Sequence, residues 1–296
     1  MTKRLTSFER VARAHASSRL SPGTRALYLG DFNRWLAWCR KHKVDPTKPT
    51  LEDATAYRDE LQEKQDVQSV RRVLSALSSM YGAAVALEDR LATWNPFHPQ
   101  ALPRPPADTY GRTEAIDVEK AKQIVAAADK ESDGIGLRDA AILHLLFDTG
   151  MRISSLLSMR RSKLVRRGDG VVAWVKVKGT KLREVAIPRE CAVVVERLLA
   201  DAVVPESDFV FPADRGKGAM SRNTVDKMLK ARGGAKMSAH RFRATFATGA
   251  FDAGVPLQEV QKALHHSSPV TTQRYDRGAR GGGVAEALAK FRGEAV

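Results

Sequence analysis

Cysteine is nearly absent from the sequence, and its scarcity excludes two kinds of stabilised fold. The two cysteines, Cys39 and Cys191, are far apart, and neither belongs to a Cys-x-x-Cys or Cys/His motif. This spacing excludes a disulfide framework and a thiolate metal site. The closest histidine pair, His265 and His266, are neighbours whose side chains would point about 100° apart on a helix. We therefore expect no metal ion.

Long hydrophobic runs and phosphate-binding loops are also missing. The apolar stretch at residues 140–146 is far shorter than a bilayer span, and the first twenty residues mix charges without an apolar signal segment. No G-x-x-x-x-G-K-S/T loop is present, which argues against nucleotide hydrolysis. These absences predict a cytoplasmic protein without a nucleotide or other cofactor.

Positive charge is what the sequence has in excess. It contains 49 Lys and Arg against 34 Asp and Glu, for a net charge of +15. The first 110 residues hold 17 basic and 12 acidic groups and the rest hold 32 and 22, so both parts are basic. Such an excess favours a polyanionic partner, because each phosphate that is neutralised releases counterions. We therefore expect the chain to bind DNA through both parts.

Prolines are concentrated near residue 100. Five of the thirteen lie between Pro96 and Pro106, where a packed helix or strand could not continue. The sequence thus predicts a first domain over residues 1–95, a semi-extended linker over residues 96–112 and a second domain over residues 113–296.

Two apolar stripes with helical spacing predict that the first domain is an all-helical bundle. Between them, Thr50 and Asp53 have the spacing of a capping box that opens a short helix. Arg71 and Arg72 flank the second stripe, where they would contact DNA phosphates or only form a solvated helix face. The stripes are Tyr28, Phe32, Trp35, Leu36 and Cys39, and Val70, Val73, Leu74, Leu77 and Tyr81.

The second domain mixes helices with β-strands. Residues 117–129 and 137–147 have helical patterns, and the latter is apolar on nearly all sides. Residues 171–177 and 184–187 are rich in β-branched residues and predict a hairpin with a basic turn. The predicted fold class is therefore mainly α, with an N-terminal helical bundle and a C-terminal mixed α/β domain.

Four short motifs of the second domain occur in a distinctive order. They are TGMR at 149–152, VKGTKLR at 177–183, AHRFR at 239–243 and LHHSSPVTTQRY at 264–275. Each is weak by itself, because an Arg in a turn or an H-x-x-R in so basic a chain is usually only a surface feature. Together, over residues 117–276, they resemble the tyrosine recombinase, or phage integrase, family. The resemblance extends to the first domain, where SVRRVLSALSSMYGAAV followed by Asn95-Pro96 is similar to the family's core-binding domain.

The resemblance implies a site-specific recombinase that cuts DNA through a 3′-phosphotyrosyl link without a metal ion or ATP. Tyr275 would be the nucleophile, and Lys178 would protonate the leaving 5′ oxygen. Lys176 and Lys181 are the alternative lysines, which would instead contact backbone phosphates. The implied catalytic residues are Arg152, Lys178, His240, Arg243, His266 and Tyr275.

Two positions depart from the family pattern. His265 stands where a glycine is common, and the family spacing selects His266, nine residues before the tyrosine, as the catalytic histidine. Ser155 stands where the family has a carboxylate that supports the site. We expect either that Asp148 replaces this support or that the site is held less rigidly.

Strand exchange between two duplexes needs paired sites, so the resemblance also implies a homotetramer on double-stranded DNA. The tail after Gly281–Gly283 would pack as a helix on a neighbouring subunit. Two other functions remain possible on the same fold, a type IB topoisomerase and a non-catalytic DNA-binding protein. The compact first domain and the presence of Tyr275 together with Arg152 and Arg243 favour the recombinase.

Overall fold

The protein, as a computed structural model, divides into two compact units, residues 1–111 and 112–296, each with its own hydrophobic core. Each unit is described by itself. The structure describes residues 2–19, 21–86, 91–106, 114–168, 170–177, 181–201, 207–213 and 217–276.

The described residues of the first unit form four helices: α1 (Thr2–Arg19), α2 (Pro22–His42), α3 (Leu51–Lys64) and α4 (Val67–Ala86). Their starts are encoded locally. The Ser21 side chain accepts a hydrogen bond from the Thr24 N–H at the start of α2. The predicted capping box is present at α3, where Thr50 and Asp53 each accept a hydrogen bond from the other's main-chain N–H.

The two predicted stripes meet in the core of the first unit. Trp35 and Tyr81 are its largest fully buried side chains. Trp35 Nε1 donates a hydrogen bond to Tyr81 Oη at 2.8 Å, and Tyr81 Oη donates one to the Pro46 carbonyl at 2.6 Å. The polar atoms of both rings are thus paired, as burial requires.

The first part of the proline-rich segment packs against the first unit. Phe97 and Leu102 are buried in its core, and Arg104 donates hydrogen bonds to the carbonyls of Leu74 and Phe97. The first part of the segment predicted as a semi-extended linker, residues 96–106, is therefore anchored to the first unit by large apolar side chains that lie between the prolines. The rest of the predicted linker, from residue 107, lies outside the described residues.

The second unit begins with α5 (Val118–Ala128), α6 (Gly134–Thr149) and α7 (Ile153–Leu157). A three-stranded sheet of β1 (Leu164–Arg167), β2 (Gly170–Lys176) and β3 (Leu182–Ile187) follows. The remaining helices are α8 (Arg189–Ala200), α9 (Arg222–Gly233), α10 (Ala239–Asp252), α11 (Leu257–Ala263) and α12 (Pro269–Gln273).

The sheet is antiparallel in the order β1-β2-β3. Trp174 pairs with Glu184 in the register of β2 and β3, so the predicted hairpin is present. The sequence did not predict β1, because Arg166 and Arg167 are exposed and give this strand little hydrophobic pattern.

The described second unit is built around α6. Ten of its sixteen residues are buried, which agrees with a helix that is apolar on nearly all sides. The predicted fold class, mainly α with a small sheet, is confirmed. Within the described ranges, no helix is both long and apolar enough to cross a membrane.

Candidate active site

Three chain segments bring the predicted catalytic residues of the second unit together. Arg152 follows the end of α6. His240 and Arg243 lie in the first two turns of α10. His266 lies in the turn after α11, and Tyr275 follows α12. Arg152, Arg243 and Tyr275 are close enough for their charges to affect one another's pKa.

Gly150 ends α6 and directs the chain toward the site. Its φ is +57°, the left-handed conformation that glycine adopts without steric penalty. A Cβ at this position would lie 2.5 Å from the Phe246 ring of α10. Only glycine therefore fits both the backbone conformation and the close packing at this position. Two residues later, Arg152 is the N-cap of α7.

We expect Gly150→Ala to lower the free energy of unfolding by about 2–4 kcal/mol, since it adds left-handed strain to an overpacked contact. Gly254 offers a matched control, because its φ is +79° and its Cβ would meet open space. Gly254→Ala should show only the smaller, conformational loss. Urea denaturation of both variants measures the difference, and equal losses would mean that contact with Phe246 is unimportant.

Arg243 is the buried anchor of the site. Its side chain donates hydrogen bonds to the carbonyls of Gly150 at 2.7 Å and Leu264 at 2.6 Å. Burial first, and the nearby charge of Arg152 second, lower its pKa to about 10. The guanidinium therefore stays charged at neutral pH.

Two guanidinium groups converge on one turn. Arg152 Nη1 donates hydrogen bonds to the carbonyls of Leu264 and His265, both at 3.3 Å. Arg243 shares the Leu264 carbonyl. A guanidinium has five donors in a fixed fork, so both side chains keep donors for an anion.

His240 and Arg243 differ in exposure although both lie near the start of α10. His240 is exposed, whereas Arg243 is 3% exposed. Phe242 is fully buried beside Arg243, so the buried side of α10 includes Arg243. Loss of hydration, followed by the charges of Arg243 and Arg152, lowers the pKa of His240. His240 is therefore neutral at neutral pH.

His266 is buried, and its ring stacks at 6.2 Å on the ring of Tyr275. Its Nδ1 is hydrogen-bonded at 2.8 Å to the hydroxyl of the buried Thr272. Burial, Arg243 and Arg152 lower the pKa of His266 to about 4, so the ring is neutral.

Tyr275 lies two residues beyond the end of α12. Its half-buried ring packs on a small apolar cluster that includes Val260 and Leu264. Burial raises the pKa of the hydroxyl, and the charges of Arg243 and Arg152 offset only part of this rise. The hydroxyl is therefore protonated at neutral pH and needs a base to become a nucleophile.

Asp148 does not support Arg152. Its carboxylate bonds His144 at 3.1 Å, and the other nitrogen of that ring bonds Asp129 at 3.0 Å. Burial alone would lower the pKa of His144, but the two carboxylates raise it overall. The hypothesis that Asp148 replaces the missing carboxylate is therefore wrong, and main-chain carbonyls hold Arg152 instead.

The remaining predicted site residues are the lysines of the hairpin and two arginines of the first unit. Lys178 lies outside the described residues, whereas Lys176 and Lys181 are exposed. Arg71 donates a hydrogen bond to the Pro105 carbonyl, and Arg72 pairs with a carboxylate of the first unit. Their role toward DNA stays a prediction.

Ser155 and His265 also have contacts that the sequence did not predict, although both residues depart from the family pattern.

Within the described ranges, the acidic, histidine and cysteine side chains form no group of three that could hold a metal ion. The arrangement as a whole offers two cations, two neutral imidazoles and a phenol. These groups suit attack on a phosphate.

The sequence is similar to those of known recombinases. A sequence model of the Phage integrase family matches residues 114–280. The tyrosine recombinase XerD of Chlorobaculum tepidum is 34% identical over 269 residues, which are 86% of each sequence. The tyrosine recombinase XerD of Pseudomonas aeruginosa is 32% identical over 274 residues, which are 88% of each sequence.

Solved structures share the fold. A XerH site-specific recombinase bound to a palindromic difH substrate, in a post-cleavage complex, matches with a TM-score of 0.74 and 16% identity. The match covers 98% of this chain and 96% of that one. A lambda integrase dimer bound to a COC′ core site matches with a TM-score of 0.67 and 18% identity, over 94% and 97% of the two chains.

Proposed function

This chain belongs to the phage integrase family of tyrosine recombinases, which makes it a site-specific DNA recombinase, and we propose that Tyr275 is its nucleophile. The observation that carries the proposal is the convergence of Arg152 and Arg243 on the turn that precedes His266 and Tyr275. Two charged forks beside a half-buried phenol form a binding site for the phosphate that the phenol attacks.

Cleavage would exchange one phosphodiester bond for another. Tyr275 Oη attacks the phosphorus atom, the bond from phosphorus to the 5′ oxygen breaks, and a 3′-phosphotyrosyl link forms. The bond energy is kept in this link, so religation by a 5′ hydroxyl needs no ATP. Arg152 and Arg243 would donate hydrogen bonds to the nonbridging oxygens as negative charge builds up on them.

Two protons have to move in this step. Tyr275 must lose its proton, and the neutral His240 would accept it or orient the phosphate. Lys178 would donate a proton to the leaving 5′ oxygen. The buried, neutral His266 would hold a nonbridging oxygen through a ring N–H.

The first unit would be the core-binding domain, and the chain would act in the cytoplasm as a homotetramer on two double-stranded DNA sites. The basic charge of both parts of the chain supports binding through both units. The tail proposed to pack on a neighbouring subunit lies outside the described residues. The recombinase relatives favour strand exchange over relaxation by a type IB topoisomerase and over binding without catalysis.

Incubation with suicide DNA tests the proposal. A nick beside the scissile phosphate lets the short 5′-hydroxyl fragment diffuse away, so religation fails and the covalent complex accumulates. DNA that flanks the gene in its host would supply the candidate site. A protein–DNA band that survives denaturing electrophoresis is the expected result, and free DNA alone would reject the proposed reaction.

The two predicted DNA-binding arginines should behave differently. Arg72 and Arg34 both pair with Asp31, whose side chain is fully buried. Arg72→Gln should therefore lower the free energy of unfolding by about 1.5–3 kcal/mol, because a buried carboxylate loses a charged partner.

If Arg71 contacts a phosphate, Arg71→Gln should lower the magnitude of the slope of the log DNA-binding constant against log salt concentration by about 1. An unchanged slope would restrict Arg71 to its contact with Pro105.

A further inference from the structure

The last residue of β2 is tied to the helix that follows Arg152. Ser155 of α7 is 3% exposed, and its Oγ donates a hydrogen bond to the Lys176 carbonyl at 2.8 Å. Ser158 Oγ accepts a hydrogen bond from the Lys176 N–H at 3.3 Å and donates one to the Ser155 carbonyl at 2.8 Å. Both main-chain groups of Lys176 are thus held by the helix that Arg152 begins.

His265 adopts a backbone conformation that favours glycine. Its φ is +49°, at the position after the C-cap of α11. The His265 N–H donates to the Lys262 carbonyl at 3.0 Å, and the His266 N–H donates to the Gln261 carbonyl at 3.1 Å. These two bonds define a Schellman motif, which usually has glycine at this place. Glycine would adopt this φ without steric penalty, whereas the Cβ of histidine makes the conformation less favourable.

The ring of His265 lies beside β3. It lines a groove of about 760 Å³ together with Arg183, Glu184 and Val185 of that strand. Its Nε2 is buried and has no hydrogen-bond partner among the described residues. Burial and the charges of Arg152, Arg183 and Arg243 lower its pKa, whereas a main-chain hydrogen bond with Glu184 acts in the opposite direction. The ring therefore contacts β3 at Glu184.

The hairpin is consequently contacted on both strands by residues that also border Arg152. Ser155 holds the end of β2 and lies three residues after Arg152. His265 contacts the Glu184 main chain of β3, and its own carbonyl accepts a hydrogen bond from Arg152. We propose that Ser155 and His265 are positioning residues that fix the β2–β3 hairpin relative to Arg152. In this way they would place Lys178, which lies between the two strands in the sequence, for proton transfer.

This proposal rests on the proposed function, in which the lysine protonates the leaving 5′ oxygen. It predicts a specific kind of defect. Loss of either contact should slow the protonation step, while attack by Tyr275 on the phosphate stays intact. A suicide DNA with sulfur in place of the bridging 5′ oxygen separates the two steps, because a thiolate leaves without a proton.

The test uses the full chain at saturating DNA, with Ser155→Ala and His265→Gly as variants. Ser154→Ala is the matched control for Ser155, since Ser154 is exposed on the same helix. Lys43→Gly is the matched control for His265, because Lys43 has a φ of +58° in the first unit. Removing left-handed strain should leave the melting temperature of His265→Gly equal or raise it by about 2–4 °C.

We expect each variant to slow cleavage of the oxygen substrate about tenfold or more, the loss typical of an outer supporting residue. On the sulfur substrate the loss should shrink to under about threefold, and both controls should match the wild type. In a Lys178→Ala background the two substitutions should add no further loss, because they act through the same step.

Equal losses on both substrates, or no loss on either, would overturn the proposal. Rescue of Lys178→Ala by sulfur without rescue of the two variants would also overturn it, while leaving the proposed function intact. Rescue of the two variants without rescue of Lys178→Ala would support the positioning role and assign the proton donor to another residue, such as Lys181.

Discussion

Tyr275→Phe is expected to reduce covalent attachment to suicide DNA to background, a loss of about 10⁴-fold or more, because the substitution removes only the attacking oxygen. Arg152 and Arg243 keep their main-chain contacts in this variant, so DNA affinity should stay within severalfold of the wild type. Denaturing electrophoresis measures the adduct, and a gel-shift titration measures the affinity.

Tyr28→Phe is the matched control, because Tyr28 is a half-buried tyrosine of the first unit. It should form the adduct at the wild-type rate. If Tyr275→Phe still forms the adduct, the nucleophile is another hydroxyl, and Tyr110 is the next candidate. Loss of both adduct and DNA affinity would instead point to a structural role for the ring of Tyr275.

Lys178→Ala should slow cleavage of ordinary DNA by about 10²–10⁴-fold, the contribution typical of a general acid. The leaving 5′ oxygen is strongly basic without a proton, so its departure depends on the donor. The rate should largely recover when the bridging oxygen is sulfur. Single-turnover cleavage of matched oxygen and sulfur suicide substrates measures both effects.

Lys181→Ala supplies the control for Lys178. Lys181 is exposed, and its carbonyl accepts a hydrogen bond from the Val177 N–H, a contact that the substitution leaves in place. We expect it to weaken DNA binding with no difference between the two substrates. If Lys181→Ala shows the sulfur rescue and Lys178→Ala does not, Lys181 is the proton donor.

Most of the fold could be predicted from local sequence patterns. The capping box at Thr50 and Asp53 depends on residues three apart, and so it could be predicted from the sequence. The strand β1 could not, because its exposed arginines remove the apolar alternation that marks a strand. The packing of Phe97 could not be predicted either. Prolines indicate that a segment forms no helix or strand, but they do not indicate which residues the segment packs against.

The order of the motifs predicted which residues to expect in the candidate site, but it did not predict how deeply each is buried or which groups it contacts. The H-x-x-R spacing places His240 and Arg243 close together on a helix and leaves open whether either side chain is buried. Asp148 was expected near Arg152 because the two are close in sequence. Its partner is His144, four residues earlier on the same helix, whereas the carbonyls that hold Arg152 come from a turn more than 100 residues away.

The burial of Arg243 lowers the stability of the folded protein. Because its pKa is lower in the folded protein than in the unfolded chain, folding with a charged guanidinium is less favourable than it would be for an exposed arginine. In the proposed function a DNA phosphate would supply a counter-charge, so binding would return part of that free energy and stabilise the folded state by mass action.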